Sequence, residues 1–367
     1  MQRVTEPLGA RSGDVAAVEA LAREIAASPH VALDTEFMRE RTYRAQLCLL
    51  QIATPQRAAC IDPLGPVALD VLTAPLASDR VVKIMHAARQ DLEVLWPLFG
   101  TLPRVFDTQI AAGLAGFPAQ IGYAELVRQL LDVTLPKGQT RTDWSRRPLS
   151  REQIEYALDD VVHLAPLMDT LQDRVDRLGR TAWLAEELAQ LGRPEDLFVA
   201  PEKAWERLKG LTDLDEWRQG LAREVAAWRE RRASDRNRPR SWILADNVLR
   251  GIVLRVPRSE SELLALDEMP QGFVENSGAE MLSLVESLSP PTQLAPIGSR
   301  GRPDPTFVAL VKKLGEVVRQ AAAELQLAPE LLATRRDLEA VARGEADAAP
   351  LAGWRAEVLG ARLKAAL

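Results

Sequence analysis

Hydrophobic positions follow two rhythms along the chain. Up to about residue 191, short apolar runs bounded by turn residues or charges at 31–34, 45–53, 58–61 and 81–86 predict β-strands. Between and after them, apolar residues recur at helical spacing over 14–27, 90–99, 108–115, 123–131 and 151–178. Pro166 is expected to kink or end the last of these helices, because its ring blocks the carbonyl four residues earlier. Hairpin-like strands followed by packing helices make an α/β layer architecture. From Pro201 the strand-like runs stop, and Leu, Ala, Arg and Glu at helical spacing predict all-α units over 201–288 and 307–367. The stretch 241–257 is amphipathic and is expected to form one core helix of the first unit. Residues 289–305 are rich in Ser, Pro and Gly and read as a linker. Ser150 with Gln153, and Ser259 with Glu262, fit the capping box, in which two side chains satisfy orphan helix amides reciprocally.

Composition narrows the classes. A chain of 367 residues with 47% hydrophobic positions is long enough for two or three domains with real cores. Its net charge of −6 gives no global basic field, so any nucleic-acid site must be local. Two cysteines, Cys48 and Cys60, and three histidines, His30, His86 and His163, exclude a disulfide scaffold and argue against a Cys/His zinc site. A metal would sit on carboxylates. The first residues lack an apolar signal-peptide core and no long uncharged apolar run occurs, so the cytoplasm is the expected location and no membrane span is expected.

Three segments carry candidate chemistry. In Asp34-Thr35-Glu36 at the end of an apolar run, alternation puts both carboxylates on one face of a strand; the plainer reading is a solvated strand end. After the run 81–86, Asp91 falls near a helix N-terminus, where capping chemistry is the alternative. Tyr156 and Asp160, four apart, set a phenol beside a carboxylate on one helix face, with Asp159 turned away as decoration. Four anions cannot share a dry site without cations. Hard divalent ions with oxygen ligands, paired roughly 3.5 to 4 Å apart, are the arrangement that clamps attacking and leaving oxygens in phosphodiester cleavage.

Asp34-Thr35-Glu36-Phe37, His86-Ala87 with Asp91, and Tyr156 with Asp160 resemble the three motifs of the DEDD superfamily of 3′→5′ exonucleases. The branch is the tyrosine one, since the histidine branch would have His where this chain has Glu155. Arg41-Thr42-Tyr43, Gln46 to Ile52, Phe106-Asp107-Thr108-Gln109, Arg141 to Trp144 and Arg147-Pro148-Leu149 narrow the resemblance to the bacterial ribonuclease D family, and it spans essentially the whole chain. It implies a ribonuclease H-like (DnaQ-like) α/β exonuclease domain at 1–200, an HRDC domain at 201–288, a linker at 289–306 and a second HRDC-like helical domain at 307–367. It further implies two divalent ions, Mg2+ or Mn2+: one on Asp34, Glu36 and Asp160, the other on Asp34 and, through water, Asp91. Tyr156 would orient the attacking water. The expected activity is stepwise release of nucleoside 5′-monophosphates from RNA with a single-stranded 3′ end, tRNA precursors above all, by a monomer. The motifs select a phosphodiester and do not see a 2′-hydroxyl, so a DNA exonuclease of repair type stays open. A non-catalytic RNA-binding module is a third class, opposed by the intact acids and Tyr156.

Other residues have two readings each. Phe37, Met38 and Tyr43 are candidates for stacking on terminal bases, with core packing as the rival for Phe37. His86 is a phosphate contact or a structural hydrogen bond at a strand end. Asp107 is a fifth acid or the cap of the helix from Thr108. Lys137, Arg141, Trp144, Arg146 and Arg147 form a basic segment with one aromatic, either a phosphate-contacting loop or a solvated charge run. Eight arginines lie between Arg218 and Arg240 against Glu224, Glu230 and Asp235, and read as a nucleic-acid stripe or a helix exterior.

Overall fold

A computed structural model describes residues 1–136, 142–211, 214–289 and 304–367; most of the linker expected at 289–306 lies outside them. The chain divides into two compact units: residues 1–38, 47–197 and 305–367, and residues 39–46 with 198–304. The first is built on a six-stranded sheet in the order β1-β4-β3-β2-β5-β6, with β1 Gln2–Leu8, β2 His30–Met38, β3 Gln46–Ala53, β4 Arg57–Ile61, β5 Val82–Met85 and β6 Val105–Asp107. β3 and β4 form the antiparallel hairpin, whereas β2, β5 and β6 run parallel and β1 runs parallel to β4. β3 lies between β2 and β4 and is buried from Leu47 to Ala53, as an inner strand covered on both faces must be.

Helices α1 Val15–Ala27, α2 Arg89–Phe99, α3 Thr108–Leu114, α4 Tyr123–Leu131, α5 Arg151–Val162, α6 Leu164–Arg177 and α7 Thr181–Ala189 complete the nuclease part of this unit. The long helix expected over 151–178 is two helices. The break sits at His163, three residues ahead of Pro166. Proline has no N–H for a bond to the Val162 carbonyl and its ring crowds that group, so α5 ends there; the His163 carbonyl then accepts the Leu167 amide at 3.1 Å and starts α6. At the other end, Ser150 and Gln153 make the expected reciprocal cap of α5.

The carboxy-terminal helices, among them α11 Pro305–Leu325 and α12 Arg335–Ala342, belong to this same unit. Leu314, Val318, Leu338 and Trp354 share one buried core with Cys60 and Ile84 of the sheet and with Leu158 and Leu171 of α5 and α6. The Trp354 ring stacks on Trp183 of α7 at 4.6 Å, and its indole N–H donates to Glu187 at 2.7 Å.

The second unit is helical, with α8 Glu216–Asp235, α9 Asp246–Arg255 and α10 Ala279–Ser287. Its core gathers Trp205, Leu221, Val225, Trp228, Leu249, Ile252, Phe273 and Met281. Here an expectation is corrected: 241–257 is a short helical turn, Arg240–Ile243, followed by α9. Leu244 between them is extended, and its carbonyl is turned to accept from the Arg229 guanidinium at 2.9 Å. Among the described residues no helix is long and apolar enough to cross a membrane.

Candidate active site

Val31, Ala32 and Leu33 are buried and anchor β2 in the sheet, so that the strand carries Asp34 and Glu36 out at its far end on one face. Helix α5 brings Asp160 to the same place: carboxylate oxygens of Asp34, Glu36 and Asp160 all lie within 4.8 Å of one another. Tyr156, one turn earlier on α5, stands beside Asp160, and each side chain influences the other's ionisation. Asp91, in the first turn of α2, stands outside that set of three. It is close enough to Asp34 to raise its pKa, and its Oδ1 accepts from the hydroxyl of Thr35. Thr35 carried no role in the sequence reading. Its side chain, pointing opposite to those of Asp34 and Glu36, ties the α2 acid to β2, and nothing local in the sequence signals a partner so distant in the chain.

Electrostatics sets this cluster apart. Burial drives the Asp34 carboxyl well above its usual range, reinforced by Asp91, Asp160 and Glu36. Burial likewise pushes Glu36 up to about 8, with Asp160 and Asp91 adding repulsion. Asp160 rises to about 7 by burial despite the opposing influence of the nearby Tyr156 hydroxyl, and Asp91 to about 7 despite the bond from Thr35. Burial and the neighbouring acids raise the Tyr156 phenol, so it stays protonated. Among the described residues none of the four acids pairs with Lys or Arg. Partly buried acids crowded together without a counter-ion are hard oxygen donors, which fit hard divalent cations.

The surrounding residues brace the acids. Asp107 caps α3 by accepting from Gln109 at 2.8 Å and Ile110 at 3.3 Å, and also takes the amides of Ala87 at 3.1 Å and Ala88 at 2.8 Å. It thereby holds the turn that launches α2 and Asp91, with Ala87 at φ +56°. His86 meets the Thr108 hydroxyl at 2.9 Å and the Ile121 carbonyl at 3.0 Å, which occupies both ring nitrogens, and burial lowers its pKa. Trp144 is 3% exposed, its ring 6.2 Å from that of Tyr156. Arg147 forks onto Asp62 at 2.7 Å twice over and caps the carbonyl of Cys48 at 2.6 Å. Met38 lies on the face of Asp34 and Glu36 and packs against the core, while Phe37 is half-buried on the opposite face. Tyr43 belongs to the second unit, where its hydroxyl bonds Glu230 and Arg240 lies over its ring at 4.7 Å. Lys137 and Arg141 lie outside the described residues. Asp159, read as decoration, is mostly buried and pairs with Arg3 of β1 at 2.8 Å.

Comparison with known proteins follows this geometry. A family model described as a 3′–5′ exonuclease matches residues 13–176, and a second, described as an HRDC domain, matches residues 218–285. Ribonuclease D of Granulibacter bethesdensis is 39% identical over 361 residues, covering 95% of this chain and 89% of that protein. Ribonuclease D of Gluconacetobacter diazotrophicus is 40% identical, covering 94% and 88%. The crystal structure of Escherichia coli RNase D, described as an exoribonuclease involved in structured RNA processing, superimposes with a TM-score of 0.85 at 30% identity, covering 100% of this chain and 98% of that one.

Proposed function

The chain belongs to the ribonuclease D family, and from that premise we propose that it is a metal-dependent 3′→5′ exoribonuclease releasing nucleoside 5′-monophosphates. Its substrates are RNAs with a single-stranded 3′ end, tRNA precursors above all, and it acts as a cytoplasmic monomer; the role ascribed to the E. coli relative in structured RNA processing supports the substrate class. We divide the chain into an exonuclease domain at 1–200, an HRDC domain at 201–288, a linker at 289–306 and a second HRDC-like domain at 307–367. The HRDC match at 218–285 supports the second of these.

We assign two divalent ions, Mg2+ or Mn2+, to the acids: Asp34, Glu36 and Asp160 hold one, Asp34 and Asp91 the other. The donor chemistry supports this, since the acids gather partly buried oxygen donors of one sign and meet no Lys or Arg among the described residues. Bound there, such ions neutralise the carboxylates, make hydroxide accessible near neutral pH and offset the charge that develops on the leaving 3′-oxygen. The remaining work falls to the protein's own groups. Tyr156, held protonated beside Asp160, orients a water for in-line attack and does not serve as its base. Thr35 and Asp107 fix Asp91, the first through its carboxylate and the second through the turn before α2. Phe37 and Met38, at the end of β2, are our choice for contact with the terminal nucleotides. Trp144, Arg147 and His86 position the site from within the fold.

The observation that carries this reading is the meeting of Asp34, Glu36 and Asp160 within 4.8 Å beside Tyr156. Matched 3′-tailed RNA and DNA strands, with and without Mg2+ or Mn2+ and with an Asp34→Asn control, test it. Stepwise loss of RNA nucleotides that needs the metal and vanishes in the variant is the expected result. Preferential digestion of DNA would move the substrate, and no digestion of either strand would contradict the reading.

A further inference from the structure

Helix α8 reads in sequence as a basic stripe, yet much of that charge is used inside the second unit. Arg218 pairs with Asp215 at 2.7 Å, Arg229 with Asp246 at 2.6 Å and Arg232 with Glu280 at 2.6 Å. Surface arginines collect instead just beyond the end of the helix, where Arg236 and Arg238 are exposed. Trp242 follows at 56% exposure, with the Arg238 guanidinium 5.6 Å from its ring centroid.

Segment 39–46 of the same unit docks on this end. The Arg44 amide donates to Asn237 at 3.0 Å and its guanidinium to Ser234 at 3.2 Å, while Tyr43 bonds Glu230. The segment contributes the exposed Arg41 and begins at the residue after β2, the strand of Asp34 and Glu36. Glu230 is buried and neutralised by Arg240 at 2.6 Å, which leaves Glu40 and Asp235 as the exposed acids within these two segments. A chain of net charge −6 thus gathers local positive charge around an exposed indole.

Such a surface has a specific complement. Single-stranded RNA presents a free base face and a phosphate at every nucleotide, which an indole flanked by guanidinium groups matches. Duplex RNA keeps its base faces stacked inside and offers the indole nothing. We infer that Trp242, Arg238, Arg236 and Arg41 form a binding site for single-stranded RNA, with a base on Trp242 and phosphates on the arginines. This rests on the exoribonuclease reading and adds to it a hold on the substrate by the second unit.

The test compares wild type, Trp242→Ala, Trp242→Phe and the double variant Arg236→Gln with Arg238→Gln. Fluorescence anisotropy in EDTA measures binding of a single-stranded RNA of about 20 nucleotides and of a blunt duplex. Trp242→Ala is expected to weaken single-strand binding about tenfold, with Trp242→Phe restoring most of it. The arginine variant should flatten the salt dependence by about 0.7 in log–log slope per lost phosphate contact. With a divalent ion present, both losses should raise KM for the long RNA relative to a trinucleotide. Variants that bind the single strand as wild type does, at unchanged salt slope, would overturn the site while robust RNA hydrolysis left the exoribonuclease reading standing. Loss of binding in the variants of a protein that hydrolyses no RNA would support the site and reject that reading.

Discussion

In α8 the Arg229 side chain is 4% exposed, and its guanidinium reaches Asp246 at 2.6 Å and the Leu244 carbonyl at 2.9 Å. On β2, Asp34 and Glu36 are partly buried, and around them stand Asp91 and Asp160. One region meets a buried charge with a counter-charge; the other crowds together four acids with none. A buried charge that keeps a partner avoids the penalty of standing alone, whereas an uncompensated cluster costs stability and persists where a ligand supplies the missing charge. The motif acids and the arginine stripe look equally chemical in sequence. Pairing separates them: much of the stripe is scaffold, and the acids, which lack counter-charges, are our proposed reactive centre.

That contrast can be broken from either side. The largest effect is expected from Asp34→Asn, which should lower RNA hydrolysis by about 10³-fold, measured under saturating divalent ion. The same variant removes one repelling charge, so its metal-free form should melt above wild type at pH 8 in calorimetry. Tyr156→Phe should cost about 10²-fold in rate with its melting temperature little changed, since the hydroxyl orients and does not support the fold. On the paired side, Glu230→Gln weakens the hold on Arg240 and Tyr43 and should lower the stability of its unit by about 2 kcal/mol in denaturant unfolding. Thr35→Val, the mildest, should raise the divalent-ion concentration needed for half-maximal rate about tenfold, because Asp91 loses its hydroxyl donor.

The pH dependence follows from the same acids. Without metal, Glu36 keeps its proton to about pH 8 and Asp91 and Asp160 keep theirs to about pH 7, while in the unfolded chain all three ionise near pH 4. Between these limits the folded state holds the extra protons, so their contribution to stability is present at low pH and lost as pH rises towards 8. Divalent ions should restore it, and the rise in melting temperature on adding Mg2+ should be larger at pH 8 than at pH 6. An equal rise at both would mean that the acids are ionised before the metal arrives.

Much of this was legible in the sequence. The two-residue spacing of Asp34 and Glu36 and the four-residue spacing of Tyr156 and Asp160 follow from strand and helix periods, and the structure brings both pairs to one point. The inner strands were visible as apolar runs. β1 was not, because it lies at the sheet edge, contains Pro7 and exposes most of its side chains, and β6 is only three residues long. The break at His163 comes earlier than Pro166 because proline acts on the carbonyl four residues back. Partnerships between distant residues left no local trace: Arg147 with Asp62, Tyr43 with Glu230 and Thr35 with Asp91. Nor does periodicity say which buried face meets which, so the sharing of one core by the carboxy-terminal helices and the sheet appears only in three dimensions.

The central claim is that the four acids are uncompensated until divalent cations bind. Isothermal titration of Mn2+ into metal-free protein at pH 7, repeated in two buffers of different ionisation enthalpy, measures it directly. The account predicts binding accompanied by net proton release, with both lost in Asp34→Asn. Binding without proton release, or undiminished binding in the variant, would contradict it.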